Sequence, residues 1–162
     1  MSFAFALLPA AVLAAAGAYL DIRHRRLPNR LCAALAVAAA AGLALSAGAG
    51  ALPWALLHAA IALVIGMLLF ALGAIGGGDA KFYAAAALAI PASPVAGPLA
   101  LLGWTSAAGL VLLITMAVGR RMLGRPGSFL KGWEVPYGVA IAAGFLLTHW
   151  LDTPIALPSG VL

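Results

Sequence analysis

Asp21-Ile22-Arg23-His24-Arg25-Arg26-Leu27-Pro28-Asn29-Arg30 is a short basic gap between two apolar runs, residues 3–20 and 31–49. Each run is long enough for a helix to cross a bilayer, which takes about 20 mostly apolar residues. Four more such runs follow, at 54–75, 80–97, 99–119 and 135–151. The pattern predicts an all-α integral membrane protein of six transmembrane helices, with residues 1–162 forming a single domain. The fourth run is interrupted by Pro91 and Pro94 and followed by Pro98, so its outer third is expected to be a broken turn.

The basic residues fix an expected orientation. All nine fall in alternate gaps: Arg23, Arg25, Arg26 and Arg30 after the first run, Lys81 after the third, and Arg120, Arg121, Arg125 and Lys131 after the fifth. The gaps at 46–53 and 91–98 hold none, and neither do the termini. Positively charged loops stay in the cytoplasm, so the termini are expected outside. Trp54, Trp133 and Trp150 fall at run ends, where indole rings anchor to the interface. Gly73 and Gly77 have the small-xxx-small spacing that lets helices approach closely.

Composition excludes other classes. The chain is 65% hydrophobic and 8% charged, whereas soluble domains run near one-quarter charged. Its net charge of +5 sits in the loops, so it reads as a topology signal and a contact with phospholipid, not as a nucleic-acid surface. Residues 2–20 lack a basic leading region and are read as a retained span. The single cysteine, Cys32, can form no internal disulfide or CxxC metal site and is expected to pack as a small apolar side chain. His58 and His149 are expected near the outer face as packed or interfacial residues, and Asp152 solvated outside. No metal and no cofactor is expected. There is no HExxH or GxSxG pattern, and the SxxK spacing of Ser128 and Lys131 is attributed to chance.

Asp21 and Asp79 are half of the four acidic residues, and both lie at ends of apolar runs. Carboxylates in such places mark ion paths, proton relays or reaction sites. The exits of the first and third spans share a face, so helix packing can bring the two together. Adjacent carboxyls hold one proton between them; the ionised member can take a proton from water while the protonated one polarises a carbonyl. Gly76, Gly77 and Gly78 precede Asp79 and lack side chains, so an extended substrate can come close. Lys81 is read as a lipid or topology contact near the substrate path. Glu134 is read as a helix-terminal carboxylate within reach of substrate.

Gly76-Gly77-Gly78-Asp79-Ala80-Lys81 resembles the GxGD signature of membrane aspartyl proteases. Asp21, Arg23 and Leu27-Pro28-Asn29 resemble the first-aspartate motif of the type IV prepilin peptidases, and Val135-Pro136-Tyr137-Gly138-Val139-Ala140 resembles that family's final-span motif. The resemblance implies a bacterial inner-membrane endopeptidase that removes the basic leader of prepilin- or pseudopilin-like proteins at the cytoplasmic face. It implies Asp21 and Asp79 as the catalytic pair, with Pro136, Tyr137 and Gly138 near the substrate. Without the paired CxxC extension of bifunctional relatives, the chain resembles the short, peptidase-only branch linked to tight-adherence pili, with no N-methyltransferase activity expected. Archaeal preflagellin processing stays open, as does the oligomeric state. Two readings of other classes compete: a proton-coupled transporter using the same aspartates, and a non-catalytic partner in pilus or secretion assembly.

Overall fold

The computed structural model describes residues 3–91, 95–124 and 135–151. Pro94, Arg125, Ser128, Lys131, Trp133, Glu134 and Asp152 lie outside the described residues. Those described form seven α-helices and one 3₁₀ turn: α1 (Phe3–Ala6), α2 (Leu8–His24), α3 (Asn29–Ala47), the turn Ala49–Ala51, α4 (Leu52–Ala71), α5 (Gly77–Ala87), α6 (Ala96–Met122) and α7 (Tyr137–Leu151). No strand occurs among them.

Each boundary has a local cause. Leu7 separates α1 from α2, and Pro9 falls in the first turn of α2, where a missing N–H costs nothing. At the other end Arg25 takes a left-handed conformation (φ 52°) and returns its N–H to Asp21 O at 3.0 Å, closing the helix. Pro28 then stands at the N-cap of α3. Helix α4 stops before Gly73, whose φ of 72° suits a residue without a Cβ.

Helix α5 is the short one. Its last turn tightens into i→i−3 bonds from Leu88, Ala89 and Ile90, ahead of Pro91. Eleven residues rise only about 16 Å, half of a hydrocarbon layer. Of the predicted span 80–97, α5 covers residues 80–87, and residues 96–97 already belong to α6, with Pro98 in its first turn. Among the described residues, three helical segments are long and apolar enough to cross a membrane: 29–47, 49–71 and 96–122.

Gly73 and Gly77 do not form the close-packing helix face that their spacing predicts. Gly73 lies beyond the end of α4 and Gly77 begins α5, so the two share no helix face. Other glycines make the close approaches: Gly66 lies on Ala80, joining α4 to α5, and Gly144 lies on the backbone of Thr105, joining α7 to α6. The core is built mostly from alanine around Phe82, Phe145 and Leu35, all essentially inaccessible. Outside it, Leu99, Leu102, Leu110, Val111, Ile114 and Val118 leave α6 apolar and exposed. A surface of that kind belongs in lipid.

Candidate active site

Helix packing brings the two aspartates to one place. The ring of Phe82 on α5 fills the space that a side chain at Gly17 on α2 would occupy. Asp21 lies four residues after Gly17 and Asp79 three residues before Phe82, so each carboxyl shares a helix face with its half of that contact. The helices run in opposite directions, and both offsets point to the same end. There, Asp21 and Asp79 line one cleft of about 560 Å³ with Arg25, Arg26, Leu27–Asn29 and Gly76–Gly78.

Asp21 is buried, 6% exposed, and its carboxylate has a definite partner. Oδ2 accepts the Gly138 N–H at 2.8 Å. That amide belongs to the first turn of α7, whose N-cap position is Pro136, a residue with no side-chain acceptor. Asp21 thus caps α7 from another helix and satisfies a donor that would otherwise be orphaned. The fit requires glycine: a Cβ at position 138 would lie 2.9 Å from Oδ2 and 3.1 Å from Cγ of Asp21. Burial raises the Asp21 pKa, opposed by the Gly138 amide, the charge of Arg25 and the Val139 amide.

Asp79 stands at the third position of α5 and reaches back to its N-cap, accepting the Gly76 N–H at 3.2 Å. This is the carboxylate half of a capping box; glycine has no side chain to supply the other half. Burial, then the negative charge of Asp21, push the Asp79 pKa up to about 6, against the pull of the Gly76 amide. Repulsion between carboxylates is mutual, and it weighs on the one that ionises second.

The three glycines have different neighbours. A Cβ on Gly76 would come 2.8 Å from the Asp79 carboxylate, and one on Gly78 would come 3.3 Å from Leu27 Cβ. One on Gly77 would make ordinary contact, 3.4–3.5 Å, with the Phe70 ring. Gly76 has φ −75° and ψ 146°, open to any residue. Space, not unusual dihedrals, is what glycine provides there.

Lys81 donates to Asn29 Oδ1 at 3.1 Å, tying α5 to the start of α3, where Asn29 lines the cleft. Tyr137 lines a second, apolar cavity of about 360 Å³ between α4, α5, α6 and α7, as do His58, Tyr83 and Thr105. Asp79 lines both spaces and stands where they meet. His58 is buried, and its Nδ1 lies 3.0 Å from Ile90 O, taking up a carbonyl at the frayed end of α5. Among the described residues no three His, Cys, Asp or Glu side chains gather to hold a metal ion.

Sequence reasoning missed Gly17, Phe82 and the apolar cavity. Gly17 and Phe82 look like any two members of apolar runs, and only the crossing of α2 and α5 pairs them. The link from Asn29 to Lys81 joins two polar residues visible in the gaps, yet nothing in their spacing of 52 residues announces it.

The chain is therefore an all-helical membrane protein with two carboxyl groups at a common cleft. Residues 7–124 match the model of the type IV leader peptidase family, and the chain belongs to that family. Both aspartates lie inside the matched region; Gly138 lies beyond it. Comparison with curated proteins and with solved structures gives no significant match. Membership in this family carries aspartic-type peptidase activity on protein substrates such as prepilins.

Proposed function

We propose that the protein is a leader endopeptidase of prepilin- or pseudopilin-like proteins in which Asp21 and Asp79 together activate water. The observation that carries this reading is that both aspartates line one cleft. The ionised carboxylate takes a proton from water while the protonated carboxyl polarises the scissile carbonyl, and no covalent intermediate or metal is needed. The scissile segment lies extended in the cleft along Gly76–Gly78, because a helical peptide bond keeps its carbonyl engaged. Apolar residues that follow the cut enter the cavity beyond Asp79, between α4 and α6. Pro136, Tyr137 and Gly138 border the path, and Lys81 holds its wall.

In this reading the six apolar runs all cross the bilayer, the fourth passage being made by residues 80–97. The cleft faces the cytoplasm of a bacterial inner membrane and both termini lie outside. The test is co-expression with prepilin-like proteins from the same genome, scored by leader removal. Asp21→Asn and Asp79→Asn should each abolish cleavage with insertion and abundance unchanged. The double variant should be hardly worse than either, as for groups that act as a unit. Appreciable cleavage by Asp79→Asn would remove the dyad from the mechanism, and a transporter would cleave nothing at all.

A further inference from the structure

The two carboxyl groups are held in unlike ways. Asp21 is buried, and its Oδ2 takes the 2.8 Å bond from Gly138 at the open end of α7. The Val139 amide, which donates to Pro136 O at 3.1 Å, lies close enough to act on the same carboxylate. Asp79 has one longer bond, 3.2 Å, from the backbone of its own helix start, and it borders the apolar cavity. Backbone donors and a helix N-terminus favour the charged form of a carboxyl, and an apolar wall favours the neutral one.

We infer that Asp21 is the base of the pair, Asp79 the acid, and Gly138 the positioning residue that fixes this division of labour. The inference rests on the leader-peptidase reading above. Asp21 takes a proton from water as the water oxygen bonds to the carbonyl carbon, and the Asp79 proton passes to the carbonyl oxygen. The proton on Asp21 then moves to the leaving nitrogen as the C–N bond breaks. A hydroxyl of the collapsing diol returns its proton to Asp79, and both groups end as they began. Gly138 acts by leaving room for the Asp21 carboxylate and by donating to it. The charged and titratable groups that share the cleft with Asp21 are Arg25 and Arg26 beyond its own helix turn and Asp79 on α5, while α7 presents the amides of Gly138 and Val139.

The experiment is a pH–rate profile for leader cleavage by purified protein in lipid, wild type against Gly138→Ala. The added methyl should displace the carboxylate from its amide. The ascending, acidic limb of kcat/KM should then move upward by about one pH unit. The descending limb should move little, and kcat should fall while KM holds. A Gly138→Ala profile of wild-type shape, merely scaled down, would overturn the positioning role.

A second measurement keeps residue 138 intact. Infrared titration of Asp21 in the Asp79→Asn protein, and of Asp79 in the Asp21→Asn protein, should find Asp21 ionising at the lower pH. The reverse order would overturn the assignment even if Gly138→Ala fails to insert. Cleavage surviving in both Asn variants would instead sink the underlying reading, so the two failures are distinct.

Discussion

Phe82 on α5 lies over the bare Cα of Gly17 on α2, and its ring is completely buried. This contact sits about one helical turn inside the two carboxyls and sets how far apart α2 and α5 stand. A methyl at Gly17 would collide with the ring, and overpacking of that kind costs about 1–3 kcal/mol. Gly17→Ala is expected to reduce cleavage although residue 17 touches neither aspartate. Combining it with Phe82→Leu should restore part of the loss, because the smaller side chain frees the space. Equal activity of Gly17→Ala and wild type in a cleavage time course would show that the contact does not set the spacing.

The glycine run should respond in a definite order. Gly76→Ala places a methyl 2.8 Å from the Asp79 carboxylate, and misplacing a reacting group costs on the order of 10- to 100-fold in rate. Gly78→Ala presses on Leu27 at 3.3 Å and should give an intermediate loss. Gly77→Ala meets only ordinary contact with Phe70 and should stay within about twofold of wild type. Initial rates for the three variants check the order; a greater loss at Gly77 than at Gly76 would contradict it.

The pH dependence follows from Asp79. Its pKa is raised from 3.8 to about 6 in the folded protein, so between those values the folded state keeps a proton that the unfolded chain has lost. Stability from this group therefore falls as pH rises through that window. Thermal midpoints in detergent should decline from about pH 4 to about pH 6, with a shallower slope in Asp79→Asn. Cleavage, which needs a protonated member of the pair, should have its descending limb near pH 6. A flat profile across that range would exclude Asp79 as the proton holder.

Topology is open to cysteine labelling in a Cys32→Ala background. Cysteines at His24, Lys81 and Gly124, all exposed, should react only with reagents that enter the cytoplasm, and one at Gly50 should react from outside. Labelling at residue 50 from the cytoplasm would sink the orientation inferred from the basic loops.

Much of this architecture is legible in the residue pattern. The apolar runs coincide with the helices to within a few residues, apart from the fourth, because burial and helix formation select the same residue types. The depth reached by α5 is less legible. Pro91 signals a stop, yet the early tightening at Leu88–Ile90 also depends on His58, 32 residues away. Asp21 and Asp79 stand out because carboxylates are rare here. Their holders do not: Gly138 lies 117 residues from Asp21, and its role exists only once α7 presents its first turn to α2. Gly73 misleads for a related reason, since its spacing to Gly77 suits a packing face while its backbone conformation makes it a turn.

Helix α5 carries Asp79 on 11 residues, while α6 runs to 27, about 40 Å at 1.5 Å per residue. A hydrocarbon slab about 30 Å thick makes the longer helix lean, and how far it leans varies with the lipid. The shorter one feels none of this directly. Ala80, Phe82 and Ala84–Ala87 are buried against protein, and just beyond the C-terminal end of α5 the Ile90 carbonyl meets His58 Nδ1 at 3.0 Å. Asp79 thus stands on a pedestal inside the protein, set back from the lipid that the exposed face of α6 would meet.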